Sequence, residues 1–396
     1  MLDRLSVVDE IFLRAHKGLG TPIAMQGLLL TDGPVDRYAL EAAHAQLRRG
    51  TLGRRVVPVR NPGARARWVR STHAYPIVYS RAANMLDWAD RQGDRLDPSR
   101  GPGWRLSVCE SKDRSLISLT CSHVLADARG MIEAVDAALR EMVEPPDILR
   151  TSDFRDAAHI WGIVAREFRP KRGEHVPARP VRTESGSAVT ACVRIPARPF
   201  DAHAHRFGIS PNSLFVQIVT SILFRSGYRE RVGVSLPIDT RTPGEPIVGN
   251  ALAMGFTEIG PEDSPATIHD ACRAGLGRRM TGPSGIPPEF LHLLPDRLAY
   301  RATGNAGQLD VLCSNIGTWP PSFMQIGVSN TIGVAARAIH PGLQRLPRTR
   351  LSGYLSRSPE HYVLSLVSMD PARISTRTQL VDHAKACIPV PATPWL

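Results

Sequence analysis

Paired cysteines, long apolar runs and aromatic clusters are scarce in this 396-residue sequence. Its six cysteines, at 109, 121, 192, 272, 313 and 387, form no Cys-x-x-Cys pair, and no Cys/His group has zinc-site spacing. Reduced, buried thiols are expected, with no structural metal. The first twenty residues carry Asp3, Arg4, Asp9 and Glu10 and no apolar signal core, and the run from Leu214 to Phe224 is broken by Gln217, Thr220 and Ser221. Neither a secretory signal nor a membrane-spanning helix is predicted, and a cytoplasmic location is expected. Aromatic residues make up only 6% of the chain, and no stacking series accompanies its basic run, which argues against single-strand nucleic-acid binding.

What is present suits a folded protein. Hydrophobic residues make up 42% and charged residues 22%, so disorder is not indicated. The length exceeds the size, about 250–300 residues, at which a single core stops growing, and two units are expected. The net charge of +12 is concentrated partly in Arg48, Arg49, Arg54, Arg55, Arg60, Arg65, Arg67 and Arg70. These alternate with Val56, Val57, Val59, Trp68 and Val69 around Asn61-Pro62-Gly63, which predicts a hairpin with its arginines on one solvated face. The functional alternative is attraction of an anionic partner, such as a coenzyme A phosphate, an acidic carrier protein or an anionic lipid surface met from outside; specific nucleic-acid binding is not expected.

Periodicity predicts helices over 7–16, 33–49, 158–168, 210–224, 264–280, 287–302 and 375–386. Strands are predicted around 23–30, 54–60, 66–71, 76–80, 104–110, 115–121, 231–238, 309–314, 325–333 and 361–369. The mixture gives an α/β chain in the broad sense, α+β with mixed sheets. A basic Pro/Arg/Gly stretch at 169–185 reads as a crossover between a unit at 1–168 and one at 186–396.

The most informative segment runs from Ser115 to Gly130. Residues 115–121 alternate as a half-buried strand does, apolar residues recur at helical spacing from Met131 to Met142, and His123 sits where the strand turns into the helix. An imidazole there could move a proton to or from a hydroxyl, amine or thiol, with Asp127 holding the loop; a hydrogen-bonded core histidine is the alternative. Only His292, with Asp296, repeats the His-x-x-x-Asp spacing among the thirteen histidines, and its Pro-broken surroundings read as structural. His203 and His205 have no acidic or thiol neighbours and read as surface residues.

Four segments in order carry a resemblance. These are Leu5-Ser6-Val7-Val8-Asp9-Glu10-Ile11-Phe12-Leu13, Ser122-His123-Val124-Leu125-Ala126-Asp127-Ala128, Pro237-Ile238-Asp239-Thr240-Arg241 with Gly249-Asn250, and Ser314-Asn315-Ile316-Gly317. The chain resembles the acyltransferase superfamily with the chloramphenicol acetyltransferase fold, closest to bacterial wax ester synthase/diacylglycerol acyltransferases and related to nonribosomal-peptide condensation domains.

The resemblance implies two acetyltransferase-like subdomains with an active-site tunnel at their interface, and transfer of an acyl group from a coenzyme A or carrier-protein thioester to a small-molecule or lipid hydroxyl. It makes His123 the catalytic base and Asp127 the partner of Arg241. Asn315, Ser314, Ser122 and Asn250 become candidate substrate contacts, Asn250 with a turn or cap role as the equal alternative. No tightly bound cofactor is implied, and no metal. Amide formation on a carrier-bound substrate and an inactive binding relative are the alternatives. Ser122 stands where the family motif has its first histidine, and Ala128 where it has glycine; a left-handed backbone at Ala128 would cost roughly 1 kcal/mol.

Overall fold

The computed structural model describes residues 3–17, 21–145, 148–169, 186–242, 249–278, 286–295, 298 and 309–396. At its start the Ser6 N–H donates to Asp9 Oδ2 at 2.9 Å while the Asp9 N–H donates to Ser6 Oγ at 3.1 Å. This reciprocal cap opens α1 (Val7–Lys17). There follow β1 (Ala24–Thr31), α2 (Arg37–Leu47), β2 (Arg54–Val57), β3 (Arg67–Arg70), β4 (Val78–Ser80), α3 (Met85–Asp90), β5 (Trp104–Glu110), β6 (Ser115–Ser122), α4 (Ala128–Leu139) and α5 (Asp153–Glu167). The second half contributes β7 (Val189–Pro196), α6 (Ala197–Arg206), α7 (Pro211–Arg225), β8 (Val232–Asp239), β9 (Leu252–Ile259), α8 (Pro265–Gly277), β10 (Val311–Thr318), β11 (Gln325–Ile326), β12 (Ser329–Ile339), β13 (Leu351–Arg357), β14 (His361–Ser368), α9 (Arg377–Cys387) and β15 (Thr393–Pro394).

Two mixed sheets organise these elements, in the orders β11-β12-β1-β6-β5-β4 and β15-β7-β14-β13-β10-β8-β9. Sheet membership crosses the middle of the chain. β1 lies between β6 and β12, with Ala24 opposite both Ser122 and Ile339, so strands from the second half complete the first sheet. One face of that sheet packs Met25, Leu29, Ile117, Leu119 and Cys121 against α2 and α4 through Leu40, Leu47, Met131 and Ile132. The second core gathers Leu214, Phe215, Ile218 and Ile222 of α7 against Val193, Val234, Val311 and Leu355. Ser210 caps α7 by accepting from the Ser213 N–H. Among the described residues no single helix is long and apolar enough to cross a membrane.

Three sequence expectations need correction. The helix expected at 287–302 is a short 3-10 turn, Pro288–Leu293, bracketed by Pro287 and Pro295; residues 296–297 and 299–308 lie outside the described residues. The strand expected at 325–333 is broken by Gly327, whose φ of +59° reverses the chain into the β11–β12 hairpin. The basic hairpin forms, with Val56 opposite Trp68 and Gly63 at φ +85°, but its arginines do not share a solvated face. Arg54 lies two residues from Val56 and shares its inward face: it is 4% exposed, with its guanidinium 3.9 Å above the Trp68 ring. Arg65 pairs with Asp156 at 2.7 Å. Residues 170–185, most of the expected crossover, are outside the described set.

Candidate active site

β6 ends at Ser122, and a single turn carries the chain through His123 into α4. The His123 N–H still bonds to the last partner strand, donating to the Ile23 carbonyl at 3.0 Å, and the Leu125 N–H closes the turn on the Ser122 carbonyl at 2.9 Å. Asp127 then caps α4, its Oδ1 accepting from the Gly130 N–H at 2.8 Å. Ala128 is the first helical residue, and among the described residues the positive-φ non-glycine positions are Arg95 and Glu141, so alanine in the glycine position carries no left-handed strain.

Phe12 of α1 lies flat against the imidazole, with ring centroids 3.6 Å apart and planes at 16°. Burial lowers the His123 pKa from its ordinary value; the charge of Asp127, then the residue's own carbonyl, Asn250 and Asp9, oppose that shift without cancelling it. The ring is therefore neutral at pH 7. Nδ1 is buried without a hydrogen bond, whereas Nε2 is not among the buried unpartnered atoms.

The loop that bears this ring is clasped by residues 249–251, which return from the second half of the chain toward β9. Asn250 Nδ2 donates to the carbonyls of His123 (2.9 Å) and Val124 (3.0 Å) and to Asp9 Oδ1 (2.9 Å). Arg54 Nη2 takes the Leu125 carbonyl at 2.8 Å. Every carbonyl from Ser122 to Leu125 thus has a donor, which is what a buried turn requires. Asp127 is held from three directions besides its own cap. Its N–H donates to the Gly249 carbonyl at 2.9 Å, its Oδ2 accepts from the Ala251 N–H at 3.0 Å, and its Oδ1 meets Arg241 Nη2 at 2.9 Å.

Arg241 also reaches Asp239 at 3.0 Å, Glu133 at 3.5 Å and the Gly249 carbonyl at 3.0 Å. Burial works against its charge, but Asp127 and Asp239 outweigh it and hold its pKa above the ordinary value. A Cβ at Gly249 would collide with the Arg54 guanidinium and the Leu125 carbonyl oxygen, so only glycine permits this approach.

Hydrogen bonds join His123, Asp127, Arg241 and Asn250, and among the described residues no side-chain hydrogen bond ties Ser122, Ser314 or Asn315 to them. Ser122 pairs with Ala24, and the pleat turns its side chain to the face opposite His123, where its Oγ is buried without a partner. Asn315 is exposed on β10, its Nδ2 donating to Asn212 Oδ1 at 3.0 Å and its Oδ1 accepting from the Gly317 N–H at 3.0 Å; no hydrogen bond joins it to His123. Ser314 precedes it, opposite Tyr354. His203 and His205 lie on α6, and His292 lies on the 3-10 turn; its spacing partner Asp296 is outside the described residues. Among the described residues no group of three His, Cys, Asp or Glu side chains could hold a metal.

Sequence reasoning placed none of Asp9, Phe12 and Arg54 at the histidine. The signal was present for the first two: Leu5 is fully buried, Ser6 and Asp9 cap α1, the second oxygen of Asp9 meets Asn250, and Phe12 meets the imidazole. The opening motif is the back wall of the histidine site.

No family model and no curated protein matches the sequence. Solved structures do. The first condensation domain of the CDA synthetase superposes with a TM-score of 0.63 at 16% identity, over 98% of this chain and 96% of that one. The wax ester synthase/diacylglycerol acyltransferase from Marinobacter aquaeolei VT8 does so with a TM-score of 0.60 at 14% identity, over 98% of both chains. The chain has the condensation fold. Polyketide synthase associated protein 5 from Mycobacterium tuberculosis shares it too, with a TM-score of 0.58 at 14% identity over 98% of this chain and 97% of that one. In the condensation fold of this chain, as the contacts above show, the histidine turn of one half is clasped by a return loop of the other.

Proposed function

We propose that the protein is an acyltransferase that moves an acyl group from a thioester to an acceptor hydroxyl, with His123 as general base. One observation carries the reading: an imidazole, stacked on Phe12, stands on a turn whose every carbonyl is hydrogen-bonded and whose one carboxylate, Asp127, is already paired with Arg241. A carboxylate left unpaired beside the ring would compete for its proton; Arg241 removes that competition.

In this scheme His123 takes the hydroxyl proton as the oxygen attacks the thioester carbonyl carbon. The tetrahedral adduct collapses with cleavage of the C–S bond, and the imidazolium returns its proton to the leaving thiolate. A thioester is already activated, so alignment and proton transfer are the main tasks, and the same steps serve an amine acceptor. Asn315 stays a candidate for holding the oxyanion, since only one of its two amide N–H groups is given to Asn212.

The thioester is borne by coenzyme A or a carrier protein, both anionic, and Arg48, Arg49, Arg55, Arg60 and Arg70 remain exposed to attract it. The test is mass spectrometry of the purified protein with a panel of acyl-coenzyme A donors and alcohol or amine acceptors, read as acyl product and free thiol. Acceptor-dependent thiol release supports the reading. Its absence across the panel, with carrier-borne donors included, overturns it.

A further inference from the structure

His340 follows β12, and the sheet register brings it to the same site. Ala24 is opposite Ser122 on one side and Ile339 on the other, so His123 and His340 both flank Ile23 at the next level. Directly opposed residues in neighbouring antiparallel strands point to the same face, which puts the two side chains over one face of the sheet, from backbones two strand spacings, about 10 Å, apart, and near enough for each ring to feel the other. Both are tied to the segment between them. The His123 N–H bonds to the Ile23 carbonyl, and His340 Nδ1 lies 3.2 Å from the Pro22 carbonyl oxygen.

A carbonyl can only accept, so His340 Nδ1 carries the ring proton and Nε2 is left with its lone pair. Nε2 has no hydrogen bond to any described residue and is not among the buried unpartnered atoms. Burial pushes the His340 pKa down to about 4; the Pro22 carbonyl works against this, and the neighbouring His123 adds to it. The ring is then a permanent acceptor at neutral pH, beside a second neutral ring whose Nε2 is the proposed base.

We propose that His340 Nε2 is a second substrate contact, accepting a hydrogen bond from a donor group adjacent to the nucleophile. An acceptor with one hydroxyl satisfies His123 alone. The pair of acceptors fits a substrate with two donors at its reacting end, a vicinal diol. Without a second donor, Nε2 of His340 must give up its water and stay unpaired, which is how a polar site rejects a substrate.

This inference rests on the acyl-transfer reading for its kinetic test, and a direct measurement separates the two. Steady-state rates are compared for 1,2-hexanediol and 1-hexanol with a fixed acyl-coenzyme A donor, in the wild type, in His340→Asn, which keeps an N–H for the Pro22 carbonyl, and in His340→Gln, which restores an acceptor. The expected result is a diol-to-alcohol preference in kcat/KM that falls about 3- to 10-fold in His340→Asn, mostly through KM for the diol, with partial recovery in His340→Gln. An unchanged preference overturns the proposal. Long-range 1H–15N NMR of the histidine rings gives the second readout: His340 as the Nδ1–H tautomer, its Nε2 resonance moving when 1,2-hexanediol is added and moving less with 1-hexanol. An Nε2–H tautomer, or no response to the diol, overturns the His340 assignment. Absence of turnover with every donor, beside a normal NMR response, overturns only the acyl-transfer reading.

Discussion

Two regions contain a histidine with an aspartate four residues on, and α1 touches both. Its Phe12 stacks on His123, and its Arg14 donates through Nη2 to the Leu291 carbonyl at 3.2 Å and through Nη1 to the Leu294 carbonyl at 3.3 Å, holding the turn that bears His292. Burial lowers both pKa values, but the neighbours differ. Around His123 the charged groups are Asp127 and Asp9, both of which favour a proton. Around His292 they are Arg65 and Arg14, which add to the burial, and Asp156, which opposes them, and the pKa falls to about 4. Nε2 of His292 is buried without a hydrogen bond. The local spacing is shared; much of what surrounds each ring comes from segments more than a hundred residues away.

The largest effect that would break this contrast is on rate. His123→Ala should lower acyl transfer by about 10²–10⁴-fold, with a melting temperature close to wild type, since the clasp bonds to the backbone carbonyl of residue 123 and not to a group the substitution removes. A variant that keeps more than half the wild-type rate removes the base from the scheme.

Next comes stability at the clasp. Asp127→Ala removes the α4 cap, the acceptor for the Ala251 N–H and the partner of a largely buried guanidinium, and should cost about 3–5 kcal/mol in chemical denaturation. Arg241→Met should cost less, about 1–3 kcal/mol, because the Asp127 carboxylate keeps two backbone N–H donors. Equal costs would mean that the cap and the Ala251 bond contribute nothing beyond the ion pair. Asn250→Ala leaves the His123 and Val124 carbonyls without their donor and should cost about 1–3 kcal/mol while slowing transfer. Full stability in that variant would show that the turn does not need the clasp.

His292→Asn is the smallest change and sharpens the contrast from the other side. Its ring titrates near 4 when folded and near 6.5 when unfolded, so the unfolded chain binds the extra proton as pH falls through 6.5. The wild type should therefore lose up to roughly 3 kcal/mol between pH 6.5 and 4 through this residue, with nothing lost at pH 7. The variant should show a flatter stability curve over that range, with transfer at pH 7 unchanged. Identical acid curves would show that His292 is not held neutral by its surroundings.

The sequence made the strand–turn–helix mount legible because Ser115–Cys121 keeps period two and the helix after it keeps its apolar spacing. The return loop at 249–251 was visible only as a Gly-Asn pair, since a bond between Asn250 and the His123 carbonyl spans 127 positions and leaves no local trace. Arg54 was misread although its spacing from Val56 placed it on the buried face; a run of arginines suggested solvent more strongly than strand parity suggested burial. β7, β9 and β13 are not predicted because glycine, serine and other polar residues break their apolar pattern, and the short helices α3 and α6 are not predicted either. His340 could be placed beside His123 only once the register of β12 on β1 was known.

The most direct test is the pH dependence of acceptor-dependent thiol release, measured in parallel on the wild type and His123→Ala. Because burial lowers the His123 pKa, the wild-type rate should be level at neutral pH and fall on an acid limb whose midpoint lies below 6.5. The residual rate of the variant should lack that limb. A midpoint above 6.5, or the same limb in both proteins, would contradict a neutral His123 as the base.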